Sequence, residues 1–143
     1  EGVIYPDSVT DKSLTHYGPT SSQVNLKRFF EDKDINTDFN KGYCIHLITD
    51  YLFYNKFLTI FSSNYIYNDY DILNKELKRK FEVKIPQKVE DKVFYTEGET
   101  RILNLKDTIK FIEETSSNNI NDIKKAVFSG DKDWLEIRPL KRI

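Results

Sequence analysis

Apolar residues recur at helical spacing along most of the chain, in segments separated by polar, Gly- or Pro-containing turns. Residues 1–21 are the exception. Two prolines, two glycines and several Ser/Thr without sustained periodicity predict an irregular segment, with turns at Tyr5-Pro6-Asp7 and Gly18-Pro19. Ser21 or Ser22 is a candidate cap for a helix through Val24, Leu26, Phe29 and Phe30. Thr37 is a candidate cap for the next helix, with Asp38 in the first turn, where the helix dipole favours an anion. From Phe39 to Phe61 the apolar content then continues with few interruptions, and a helix apolar nearly all round is expected to be central and buried.

A further helix is predicted over Asp69 to Phe81, with Tyr70, Leu73, Leu77 and Phe81 on one side. Asp69 and Asp71 at its start, and Lys75, Lys78, Arg79 and Lys80 towards its end, suit the macrodipole and read as a solvated face. Lys88 to Leu103 is weakly patterned. Leu103 to Thr115, with Asn104 as cap, and Ile120 to Val127, stopped near Gly130, read as two more helices. Trp134 to Leu140 is expected to pack back as an extended strap. The fold class is all-α, with residues 1–143 forming one helical domain around a buried central helix.

Composition narrows the partners. With 143 residues, 38% hydrophobic and 31% charged, the chain has material for a single modest core. Lys+Arg total 22 against Asp+Glu 23, a balance that argues against a generally basic nucleic-acid binder. No stretch approaches the roughly 18 apolar residues of a membrane span. The one cysteine, Cys44, excludes an intrachain disulfide framework and reads as a small buried hydrophobe. Together with a start that lacks a secretory pattern, this makes a cytoplasmic location the expectation. His16 and His46 are the only histidines, so no three-histidine site can form within the chain.

The most informative spacing is His46-Leu47-Ile48-Thr49-Asp50. Residues four apart share a helix face, and His46 and Asp50 fall on the side that carries Phe39, Gly42, Phe53 and Phe57, opposite Asn55, Lys56 and Thr59. Polar groups that point into apolar surroundings must be paired or must bind something. Two readings follow: a structural pair, with the His46 ring donating to Asp50, or a metal clamp of imidazole nitrogen and carboxylate oxygen one turn apart. The N-terminal segment adds one carboxylate, Asp7, fixed behind Pro6, and the other imidazole, His16, placed before the Gly18-Pro19 turn. Two His and two Asp make a zinc-like set with room for a water.

The run Gly42-Tyr43-Cys44-Ile45-His46-Leu47-Ile48-Thr49-Asp50 resembles the Gly-Tyr-x-x-His-Leu-x-Thr-Asp signature of the bacterial zinc-dependent phospholipase C-like family. Pro6-Asp7 and His16-Tyr17-Gly18 are similar to that family's Pro-Asp and His-Phe/Tyr-Gly elements, and Tyr67 to Asn74 to the segment that follows in its small members. The resemblance covers roughly residues 2–80. It implies an all-α fold and the metal ligands Asp7, His16, His46 and Asp50. The histidine-bearing helix that usually precedes the Pro-Asp element has no counterpart here, and only two histidines are present, so one divalent ion, zinc, is expected instead of three. The implied function is hydrolysis of small-molecule or lipid phosphoesters by a metal-activated water, with Asp7 and Asp50 as the candidate catalytic carboxylates and Lys12 or Arg28 as candidates for holding phosphate. The alternative is a non-catalytic helical binding domain that keeps His46 and Asp50 as a structural pair or holds a structural metal.

Overall fold

The computed structural model describes residues 1–143 and is mostly helical, as the periodicity predicts. Its α-helices are α1 (Leu26–Asp32), α2 (Asp38–Leu52), α3 (Ser63–Phe81), α4 (Gln87–Glu90), α5 (Leu105–Ser116) and α6 (Ile120–Phe128); β1 (Ile60–Phe61) and β2 (Lys141–Arg142) are two-residue strands. The residue contacts divide the chain into two compact units, residues 1–59 with 115–140, and residues 60–114 with 141–143.

In the first unit, three short 3-10 turns (Tyr5–Asp7, Lys12–Leu14 and Ser21–Gln23) lead into α1. Ser21 and Ser22 belong to the last of these turns, so Asn25 is the cap, accepting from the Arg28 N–H at 3.0 Å. Thr37 caps α2 as expected, accepting from Asn40 at 3.1 Å. The buried stripe of α2, Tyr43, Cys44, Leu47, Ile48 and Tyr51, packs with Val24, Leu26, Phe29 and Phe30, and with Ile123 and Val127 of α6.

The central helix is shorter than its apolar run predicts. After Leu52 the backbone widens into a π-turn (Phe53–Phe57), closed by Leu58 N–H on the Phe53 carbonyl at 2.8 Å. Asn55, assigned to the solvent side by periodicity, is buried. Its amide donates to the Tyr51 carbonyl at 3.0 Å, and its Oδ1 accepts the Arg138 N–H at 2.8 Å. The widened turn breaks the 100° rotation and swings Asn55 inward, where it satisfies the backbone of the expected strap. Tyr51 adds a hydroxyl bond to the Glu136 carbonyl at 2.8 Å and stacks on Trp134.

In the second unit, α3 begins at Ser63, a turn and a half before the predicted Asp69. Asp69 is therefore in mid-helix and fully buried, not a solvated dipole partner. Its carboxylate accepts the N–H groups of Arg101 (2.9 Å), Ile102 (2.7 Å) and Leu103 (2.9 Å). Lys75, Arg79 and Lys80 are exposed as predicted, and Lys78 pairs with Glu90 at 3.0 Å. Asn104 caps α5 through the Asp107 N–H. β1 and β2 pair in parallel, Ile60 opposite Lys141 and Phe61 opposite Arg142, a pairing too short to leave an alternation in sequence. No helix is long and apolar enough to cross a membrane.

Candidate metal centre

His46 and Asp50 lie one turn apart on α2, with side chains 13% and 20% exposed. They do not share the core stripe. Phe39, expected on the buried side with them, is exposed, and the face that carries His46 and Asp50 is covered by the N-terminal segment. Two glycines permit that approach. A Cβ on Gly42 would stand 2.9 Å from the Val3 nitrogen, and one on Gly2 only 1.9 Å from the Phe39 carbonyl oxygen. The Tyr5 ring then packs on Phe39 and Tyr43, at 5.5 and 5.6 Å between centroids. Buried Pro6 sets the 3-10 turn whose last residue is Asp7. His16, further along the same segment, is fully buried, and Tyr17 turns the chain after it with a φ of +59°.

Each imidazole is anchored through Nδ1. His46 Nδ1 is 2.8 Å from the Val3 carbonyl, and His16 Nδ1 is 3.2 Å from the Lys12 carbonyl and 3.0 Å from the Thr15 hydroxyl. A carbonyl only accepts, so each Nδ1 is placed to donate, and in a ring left neutral by that bond the Nε2 lone pair points the other way. Those two nitrogens converge on the two carboxylates. His16 Nε2 lies 3.0 Å from Asp50 Oδ2 and 3.6 Å from Asp7 Oδ1; the corresponding distances from His46 Nε2 are 3.2 and 3.5 Å. One ligand atom from each of the four residues lies within 4.8 Å of all the others.

This arrangement is unfavourable without a positive charge inside it. Lone pairs and carboxylate oxygens face one another at partly buried positions, where repulsion is poorly screened. His46 Nε2 is buried and, although close to both carboxylates, is aligned with no hydrogen-bond partner. A proton or a metal ion fills the need, and the four residues form a group that can hold a metal ion. In the metal-free fold His16 Nε2 is aligned with Asp50 Oδ2, and His46 favours its charged form. Burial pushes its pKa down, but the adjacent Asp50 and Asp7 carboxylates outweigh burial and raise it to about 10. Asp7 shifts the opposite way: the adjacent His46 ring, opposed by burial and helped by the Lys12 charge, lowers it to about 2.

Lys12 is the cation beside the group. Its Nζ is 3.4 Å from Asp7 Oδ1 and donates to the carbonyls of Asp7 (3.2 Å) and Val9 (2.9 Å). Arg28, the other candidate, lines a separate cavity of about 720 Å³ with Tyr5, Tyr17 and Tyr43. The aromatics Tyr43 and Tyr51 are core residues. Sequence reasoning did not find Val3 and Thr15, which act through a carbonyl and a short hydroxyl. The signal for Val3 was indirect, in the two glycines that let its backbone reach α2. No protein-family model, curated protein or solved structure matches the chain, so the centre is read from its own geometry.

Proposed function

We propose that the chain is a metal-dependent hydrolase of phosphoesters, phospholipase C-like in its His-Asp set, with Asp7, His16, His46 and Asp50 holding one zinc ion. The observation that carries this reading is the convergence of two Nε2 lone pairs and two carboxylates beside the Lys12 ammonium. The donor chemistry supports zinc: a tetrahedron with metal–ligand distances of about 2.0–2.2 Å has edges of about 3.3–3.6 Å. The four imidazole–carboxylate separations, 3.0, 3.2, 3.5 and 3.6 Å, bracket those edges.

Such an ion, when bound, supplies a Lewis acid for a phosphoryl oxygen and lowers the pKa of a coordinated water to about 7. The chain's residues do the rest. His16 and His46 keep their Nδ1 protons on main-chain and hydroxyl oxygens, so neither ring turns or donates into the centre. The two carboxylates balance a divalent charge, and the Lys12 ammonium leaves one positive charge over for a phosphate oxygen. Asp7, 55% exposed on its 3-10 turn, is the ligand whose second oxygen can accept the proton of the attacking water, while Asp50 stays on the helix as a fixed ligand.

The completeness of the donor set favours a second reading. Four protein donors fill a tetrahedron, which is the pattern of a structural ion that pins the N-terminal segment to α2. Zinc-loaded protein assayed on bis(p-nitrophenyl) phosphate, p-nitrophenyl phosphate and a short-chain phosphatidylcholine separates the two. The hydrolase reading expects turnover of at least one ester. Lys12→Ala should then raise KM by about tenfold with a small change in kcat, and Asp7→Asn should lower kcat by about 10²-fold or more. Stoichiometric zinc without turnover of any of the three esters leaves the structural ion.

A further inference from the structure

We propose that Thr15 is the positioning residue of the centre, fixing the His16 ring and the Asp7 turn together; the inference rests on the metal-binding reading above. Thr15 is 1% exposed and has no place in the ligand set. Its Oγ1 lies between the two, 2.8 Å from the Pro6 carbonyl oxygen and 3.0 Å from His16 Nδ1. The direction of both bonds follows from the acceptor at one end. The Pro6 carbonyl can only accept, so the hydroxyl proton goes to it, and the Oγ1 lone pair takes the Nδ1–H of His16.

The competing acceptor for that ring proton is already engaged. The Lys12 carbonyl receives the N–H of His16 at 2.9 Å and of Thr15 at 3.2 Å, leaving little lone-pair capacity for Nδ1 at 3.2 Å. The Thr15 hydroxyl is therefore the nearer acceptor that keeps the His16 proton on Nδ1, which turns the Nε2 lone pair to the metal position. The same hydroxyl holds the peptide that leads directly into Asp7. Thr15 is itself tied to α2, since its carbonyl accepts the Tyr43 hydroxyl at 2.5 Å. The two ligands of the N-terminal segment and the helix bearing the other two thus meet at one side chain. Partners of this kind typically contribute 10–100-fold to metal affinity without touching the metal.

The test measures zinc affinity by chelator competition for wild type, Thr15→Val and Thr15→Ser, with folding followed by circular dichroism. Val keeps the shape and loses both hydrogen bonds; Ser keeps the hydroxyl. The expected result is a 10–100-fold weaker zinc site in Thr15→Val and an affinity within about threefold of wild type in Thr15→Ser. Equal affinity in wild type and Thr15→Val overturns the assignment while leaving the metal centre intact, and so does a loss in Thr15→Ser as large as in Thr15→Val. Absence of zinc binding in wild type overturns the metal reading itself. Should Thr15→Val fail to fold, NMR of the zinc-loaded wild type decides: an exchange-protected His16 Nδ1–H close to the Thr15 methyl supports the assignment, and a rapidly exchanging one refutes it.

Discussion

Zinc is expected to stabilise the protein by an amount that grows with pH, by about 1.4 kcal/mol per unit above pH 6.5. In the metal-free fold His46 is raised from 6.5 to about 10, so its contribution is complete below 6.5 and is lost as pH rises towards 10. Asp7 is lowered from 3.8 to about 2, so its contribution is complete above 3.8 and is lost as pH falls towards 2. The pair therefore gives the metal-free protein a stability plateau between those two ordinary values, with a decline on either side. In the proposed centre zinc would take the place of the His46 proton, so the loaded fold would escape the alkaline decline and the gap between the two forms would widen. At a thousandfold excess over Kd the ion contributes about 4 kcal/mol, or roughly 8–16 °C in Tm at about 2–4 °C per kcal/mol for a chain of this size. Melting curves at three pH values between 6.5 and 8.5, with and without zinc, check both sign and slope. A zinc-induced shift that is constant or shrinks with pH contradicts the proton–metal exchange.

Asp69→Ala is expected to cost about 2–4 kcal/mol, by a mechanism unrelated to metal. The buried carboxylate accepts three successive main-chain N–H groups, of Arg101, Ile102 and Leu103. Removing it strands the donor at buried Leu103, half-strands the one at Ile102, and leaves the Arg101 N–H to water. Asp69→Asn does not repair the loss, because its amide offers one acceptor oxygen and turns an N–H₂ group towards N–H donors. Urea unfolding of the two variants measures the effect. A change below about 1 kcal/mol for Asp69→Ala would mean that the 101–103 backbone finds other partners.

How far sequence reached into this structure depended on the range of the interaction. Local rules read well: Thr37 and Asn104 cap their helices through side-chain oxygens, and the His46–Asp50 pair follows from a spacing of four on one helix. The pairing of that helix with Asp7 and His16 is legible only as a matching set of donors and through the motif resemblance, because the segment that carries them has no periodicity of its own. The structure departs from the local pattern where tertiary contacts override it. A regular 100° rotation places Asn55 outside, and the π-turn interrupts that rotation. Asp69 looked like a dipole partner because its three donors lie more than 30 residues away. The buried face of α2 is narrower than its apolar content predicts, since a helix with hydrophobic residues nearly all round does not say which side meets the core and which meets a covering segment.

The claim on which the rest depends is that four side chains from two parts of the chain share one metal ion. Metal content after dialysis against limiting zinc, measured on wild type, His46→Ala and His16→Ala, tests it most directly. The account predicts one zinc per chain in wild type and loss from both variants, because each removes a vertex of the same tetrahedron. No zinc in wild type, or full retention in His46→Ala, would contradict it and leave His46 and Asp50 as a proton-sharing pair.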